Sequence, residues 1–358
     1  MTFNFKHLGV VVGLVILIII LSFFLTAETF GAEPNPTGNP VGGGAGYTRI
    51  ISETDSRVKY VVSTEEQLLQ ALNNARSGDI VFVKGTANID MSDAAGTVIP
   101  SGVILASDRG QKGSLGGRIF RTRSEGFWAA TSDATLVAGD TVRITGLRIE
   151  GPDTDQNQDL GNNVVGGINA YNSKDLEVDN CELSGWSYAA VAFDRSPGST
   201  ATGYVHHNYI HHCQAKGYGY GVVKSFGAAI IEANLFDYMR HAVADSGEAG
   251  SSYEARYNIF LTHCIDSVFD MHPNPMPPSP SSHTGDLYKI HHNTIGVTDQ
   301  AAVSVGAMPA IGVFVDHNRF ASEFASVYQW ESQGYGRVYV TRNMIGGVLY
   351  ADGPIHSN

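Results

Sequence analysis

Val205-His206-His207-Asn208-Tyr209-Ile210 sets an asparagine between two short apolar flanks, and the pattern returns down the chain. It recurs as Ile231-Glu232-Ala233-Asn234-Leu235-Phe236, as Ala255-Arg256-Tyr257-Asn258-Ile259-Phe260, and then around Asn293, Asn318 and Asn343. An earlier copy, Val178-Asp179-Asn180-Cys181-Glu182-Leu183, opens the series, and the seven asparagines are spaced by 28, 26, 24, 35, 25 and 25 residues. A period of that size marks a solenoid in which each repeat stacks on the one before. Apolar residues within a repeat alternate with period two, as in Tyr288-Lys289-Ile290-His291, which predicts short strands with one buried face. Three short strands with their turns use about 25 residues, one coil of a parallel β-helix. Coils stack about 4.8 Å apart, so equivalent asparagines can hydrogen-bond into a ladder. Asparagine also tolerates the left-handed backbone of a tight turn.

The expected fold is all-β, a parallel β-helix solenoid of about ten coils. Composition agrees, with 41 glycines and only 16% charged residues in 358. A solenoid grows in one direction and needs no second core, so residues 55–358 read as one domain and a monomer is expected. Residues 1–30 contain an apolar run of 18, Leu8 to Leu25, behind Lys6. This length lies between a secretory signal and a membrane anchor. An exported protein is expected, membrane-anchored at the cell surface or secreted, with a Pro/Gly-rich tether over residues 31–54. Next come Val58–Val62 as a strand and a run with Leu68, Leu69, Ala71 and Leu72 at helical spacing, opened by Ser63 and Glu66 as a capping box. This amphipathic helix is expected to cap the first coil, which would otherwise expose core and strand edges.

The order strand, helix, Gly78-Asp79-Ile80-Val81-Phe82-Val83-Lys84-Gly85-Thr86, then Ile99-Pro100-Ser101-Gly102-Val103-Ile104-Leu105, resembles the entry to right-handed parallel β-helix proteins of the pectate lyase-like superfamily. Val142-Arg143-Ile144-Thr145-Gly146-Leu147 and the residues to Pro152 resemble the first full coils of the same group. The resemblance implies a right-handed coil. It leaves the chemistry open, because the group contains lyases, hydrolases, epimerases, adhesins and non-catalytic surface proteins. The Trp-Ile-Asp-His and Arg-Phe-Gly strands of pectate lyases are absent, as are the paired aspartates, Gly-His-Gly and Arg-Ile-Lys of polygalacturonases. Val-Lys-Ser at 223–225, followed by Met-Arg-His at 239–241, resembles the Lys/Arg pair of alginate and chondroitin lyases with this fold.

A net charge of -12 with no basic stripe argues against nucleic acid as a partner. Three cysteines are an odd number, and coil spacing keeps Cys213 and Cys264 too far apart for a disulfide, so free buried thiols are expected. Stacking the strand before each asparagine puts Asp194, Lys224, Asp245 and Asp270 in or beside one outward column, with His272 two residues further and Arg240 and His241 in the preceding turn. A slip of one residue in any coil would turn a side chain inward. Such a set suits β-elimination of uronates, which needs a cation or metal on the sugar carboxylate and a base for the neighbouring C–H. The expected substrate is a polysaccharide, and the expected function is a polysaccharide lyase with Lys224, Arg240, His241, Asp245, Asp270 and His272 as site residues. The alternative is a non-catalytic surface β-helix for adhesion, glycan binding or envelope structure, and a glycoside hydrolase ranks below elimination.

Asp153, Asp155 and Asp159 alternate in a Gly/Asn loop and, with Asp194, are candidate ligands for Ca²⁺. The doublets His206-His207, His211-His212 and His291-His292 flank the asparagines and read as turn and core residues in preference to a zinc site. Tyr218, Tyr220, Trp186 and Trp330 are candidates to stack on sugar rings, and the Pro/Ser-rich insertion 273–286 accounts for the single long step.

Overall fold

The computed structural model describes residues 34–123, 134–153, 159–161, 163–193, 200–275, 281–299, 301–321, 327–329 and 336–349. These form three long sheets of eleven, nine and eleven strands, in which each strand pairs in parallel with its equivalent one coil away. One antiparallel hairpin, Met344–Ile345 with Val348–Leu349, ends the last sheet. Sheet A runs from Val58–Val62 to Val338–Thr341, sheet B from Asn88–Asp90 to that hairpin, and sheet C from Thr97–Ile99 to Val327–Gln329. The expected parallel β-helix is therefore present. A single core of inward aliphatic and aromatic residues fills it from Val62 to Val340.

The repeat works differently from its first reading. Val178 pairs with Val205 and Asp179 with His206, so Asn180 aligns with His207, and Cys181 takes the ladder position opposite Asn208. The ladder holds six asparagines, 208, 234, 258, 293, 318 and 343, and Asn180 lies one residue out of phase. From Asn234 onward each Oδ1 accepts both the backbone N–H and the side-chain Nδ2–H of the asparagine one coil earlier, at 2.9–3.0 Å, and Asn208 Oδ1 accepts from the Cys181 N–H. The left-handed backbone sits on the residue before each asparagine: His207, Ala233, Tyr257, His292, His317 and Arg342 have φ between 52° and 56°. That conformation costs an L-residue about 1–2 kcal/mol, and the doubly satisfied amide beside it offsets the cost. At the first full coil Gly146 takes this corner (φ 71°), where a Cβ would lie 2.2 Å from Ser107 O.

The expected helix is Glu65–Asn74, with Leu68, Ala71 and Leu72 buried in the main core. Its N-cap is Thr64, not Ser63: Thr64 Oγ1 accepts from the Gln67 N–H, and Gln67 Oε1 accepts from the Ser63 N–H at 2.9 Å. The capping box is thus displaced by one residue from Ser63/Glu66. Residues 34–49, expected to hang free as part of the tether, lie against the A–B corner. Gly42 N donates to Ala233 O, Gly44 N to Asn180 Oδ1, and Tyr47 Oη to Asp179. Glycines let this arm approach closely, and the polar corner supplies its hydrogen bonds. Leu8–Leu25 lies outside the described residues, among which no helix is long and apolar enough to cross a membrane.

The cysteines are free, as expected, and burial pushes each thiol up to about 12. Cys213 and Cys264 share one column, with Met239 between them. Trp186 is wholly buried with its Nε1 donating to Ile149 O, so it belongs to the core and not to a sugar platform. Trp330 lies outside the described residues.

Candidate active site

Sheet C decides which side chains meet. Val191, Val222, Val243, Phe269 and Val303 form one register column, and all are fully buried in the core. The next column, Ala192, Val223, Ala244, Asp270 and Ser304, turns outward, and the one after it, Phe193, Lys224, Asp245, Met271 and Val305, turns back in. Lys224 and Asp245 therefore pair across coils inside the solenoid, while Asp270 is one residue out of step with them and faces out. This corrects the expected column. A strand accepts a one-residue shift with no change in its hydrophobic pattern when both flanking positions are apolar.

The interior pair is fully buried. Lys224 Nζ donates to Phe226 O at 2.7 Å and lies 4.9 Å from the centre of the Phe193 ring. Burial lowers its pKa to about 8, opposed by Asp245. Asp245 accepts from Gly247 N and Ser251 Oγ, and burial raises its carboxyl above the ordinary range. These contacts tie down the turn from sheet C to sheet A.

On the outer face, Arg240, His241, Asp270 and His272 come together as expected and are joined by Tyr220, Asp266 and Ser267. Tyr220 Oη lies 3.4 Å from Arg240 Nη1, and Arg240 Nη2 lies 3.4 Å from Asp266 Oδ2. His241 Nδ1 donates to Ser267 O at 2.6 Å, which leaves Nε2 as its proton-accepting nitrogen, 3.6 Å from Asp266 and 3.5 Å from Asp270. His272 Nε2 is 3.0 Å from Asp270 Oδ2, and its side chain remains 34% exposed while that of Asp270 is 7% exposed. Burial pushes the Asp270 carboxyl up, but His241, His272 and Arg240 together hold it below its usual value. The bond to Asp270 outweighs burial at His272 and raises its pKa above 6.5. Burial lowers the pKa of His241 and raises that of Tyr220. Tyr188 packs edge-on against Tyr218 and Tyr220, and Tyr220 stacks on His241. A cavity of about 260 Å³ opens between Tyr220, Ala244, Glu248, His272 and Asn274.

The arrangement is a buried carboxylate holding a partly exposed imidazole, backed by an arginine and a second histidine and flanked by tyrosines. The sequence reading missed Asp266, which lies in the turn before strand Phe269–Met271, where no periodic signal exists. It also missed Lys216, an exposed cation two residues before Tyr218.

Of the candidate calcium ligands, only Asp153 and Asp159 are among the described residues. Asp159 pairs with Lys216 at 2.8 Å, Asp153 is buried, and Asp155 and Asp194 lie outside the described residues. Among the described residues Glu177, Asp179 and His206 are spaced closely enough to hold a cation. Arg143 donates to Asp179 at 2.7 Å, Arg49 to Glu177 at 2.7 Å, and Tyr47 to Asp179, so their charge is matched within an ion-pair network. Each histidine doublet is a hydrogen-bonded pair, Nδ1 to Nδ1 at 2.7–2.9 Å, consistent with a structural place in the turns.

No protein-family model and no curated protein matches this chain. Among solved structures it is similar to the crystal structure of an alginate lyase from Paenibacillus sp. str. FPU-7, at 14% identity and a TM-score of 0.57, over 83% of this chain and 97% of that one. At that identity the likeness concerns the backbone: the two chains share a parallel β-helix fold.

Proposed function

We propose that this protein is a polysaccharide lyase that cleaves a uronate-containing glycan by β-elimination on the outer face of sheet C. The observation that carries the reading is His272, partly exposed and raised in basicity by the buried Asp270, beside Arg240 and three tyrosines. Arg240 would pair with the sugar carboxylate and so acidify the C–H next to it. His272, oriented through Nε2 by Asp270, would take that proton on Nδ1. The electron pair forms the C=C bond as the glycosidic C–O bond breaks, and Tyr220 would return a proton to the leaving oxygen. The fold of an alginate lyase is consistent with this class. Hydrolysis by two carboxyls is less well supported: it needs one with a raised pKa at the substrate, and Asp245, which burial raises, faces the interior.

Export with an N-terminal anchor belongs to the same proposal, supported by the apolar run Leu8–Leu25, and the helix Glu65–Asn74 is read as the cap of the first coil. The test is absorbance near 235 nm, where unsaturated uronates absorb, against a panel of acidic polysaccharides with and without Ca²⁺. A rise that His272→Ala and Arg240→Ala abolish supports the lyase. A flat trace across the panel sinks it and moves the weight to a non-catalytic glycan-binding role.

A further inference from the structure

The N-terminal arm belongs to no coil, yet a closed relay of side chains fastens it to the A–B corner. Thr37 Oγ1 lies 2.8 Å from Nε2 of His207. Nδ1 of His207 lies 2.7 Å from Nδ1 of His206, whose Nε2 is 3.1 Å from Glu177 Oε1. That oxygen accepts a 2.7 Å hydrogen bond from Arg49, back on the arm. Both ends of the relay are residues of the arm.

A contact between two Nδ1 atoms has room for one hydrogen. With both rings neutral, His206 donates Nε2–H to Glu177, His207 donates Nδ1–H to His206, and Thr37 donates to Nε2 of His207. One added proton is absorbed by reversing the chain. His206 becomes an imidazolium beside Glu177 and donates Nδ1–H to His207, whose Nε2–H then donates to Thr37 while the Thr37 hydroxyl turns to Asn35 Oδ1. A second proton, on His207, sets N–H against N–H, and the link must open. We infer that the His206–His207 pair is a clasp for the N-terminal arm, which holds through one protonation and opens on the second, releasing the arm from the coils in acid.

The charged groups around the pair are Glu177, Asp179 and Arg143 on the preceding coils, Glu232 and Arg256 on the following ones, Arg49 on the arm, and Arg109, which donates to Gly42 O. The Tyr204 ring stacks 3.8 Å from His206, and the Tyr47 ring lies 5.4 Å from His207. Burial, then the neighbouring His206, lowers His207 from 6.5 to about 4. Release of the arm removes its share of the burial and raises that value towards 6.5, so the open form binds the proton more readily than the closed one. Docking is then complete above pH 6.5, weakens as pH falls, and stops changing below about 4. The full shift corresponds to a docking equilibrium lowered by up to roughly 300-fold. His211–His212 repeats the Nδ1–Nδ1 contact with the Tyr238 ring stacked on its second histidine, so it serves as an internal control.

The test is hydrogen–deuterium exchange on the full chain from about pH 7 to about pH 4, with rates corrected for intrinsic pH dependence. The reporters are the Gly42 and Gly44 amides, which donate to Ala233 O and Asn180 Oδ1. Their protection is expected to fall across this range while the sheet A amides of Leu287–His291 keep theirs. His207→Asn keeps a residue that tolerates the left-handed backbone and removes the titration, so arm protection should lose its pH dependence. Thr37→Val cuts the link from the other side and should lower arm protection already at neutral pH. Wild-type arm protection that does not change with pH overturns the clasp, as does unaltered pH dependence in His207→Asn. Loss of arm and sheet protection together would assign the effect to the coils and equally overturn it.

Discussion

Replacing Asn258 by alanine would remove a buried amide from the middle of the ladder. Its Oδ1 accepts from Asn234 N at 2.9 Å and Asn234 Nδ2 at 3.0 Å, and its Nδ2 donates to Ile231 O at 2.8 Å and Asn293 Oδ1 at 3.0 Å. Not all of these partners are stranded. Asn234 Nδ2 keeps Val205 O, and Asn293 Oδ1 keeps the Asn258 backbone N–H. The group left with no partner is the Asn234 backbone N–H, in a fully buried turn. An orphaned buried donor costs about 1–3 kcal/mol, and the other three bonds contribute about 0.5–1 kcal/mol each, so the expected loss is about 3–5 kcal/mol. That is a large share of the stability of a typical domain, about 5–15 kcal/mol. Asn343→Ala is the comparison: it removes the bonds to Asn318 and Val315 O, but at the last asparagine of the ladder. Ends of a solenoid fray first, so its cost should be about 1–2 kcal/mol. The assay is urea unfolding at equilibrium followed by circular dichroism, with midpoints compared only where the slopes agree. A cost for Asn258→Ala below about 1 kcal/mol at an unchanged slope would refute the ladder as a source of stability. Equal costs at both positions would refute the dependence on coil position.

Under the proposed lyase activity, His272→Ala should lower kcat by about 100- to 10,000-fold, with the fold intact by circular dichroism. The acid limb of kcat/KM in the wild type should lie above pH 6.5, because Asp270 raises His272; a limb below that value would remove His272 as the base. Lys224→Met should keep kcat within about threefold of the wild type, since a residue buried in the core does not touch substrate; lost turnover in a folded variant would mean that Lys224 reaches the outer face. Cys181→Asn should stabilise the fold by about 0.5–1 kcal/mol, read as a higher urea midpoint at constant slope. Its Nδ2 would fall where the thiol now contacts Ile144 O, extending the ladder by one coil. An unchanged or lower midpoint would show that the smaller thiol fits that corner better.

The sequence by itself determined the architecture, because period-two alternation and a step of about 25 residues leave one economical way to bury every apolar strand. It also put Arg240, His241, Asp270 and His272 near one another, and these four side chains do meet. Three details were beyond it. The phase of Asn180 was hidden because Asn180 and Cys181 both fit a polar-to-small corner, and strand pairing alone shows that Cys181 opposes Asn208. The direction of Lys224 and Asp245 was hidden because Val222-Val223-Lys224 and Val243-Ala244-Asp245 are apolar at consecutive positions, so alternation carries no sign. The course of the arm was hidden because a Pro/Gly-rich stretch has no periodicity of its own, and its place comes from partners more than a hundred residues away, Asp179, Asn180 and His207. Local pattern records which face of a strand is wet. Only tertiary structure decides register and long-range docking, because their energies depend on contacts between residues that the pattern does not relate.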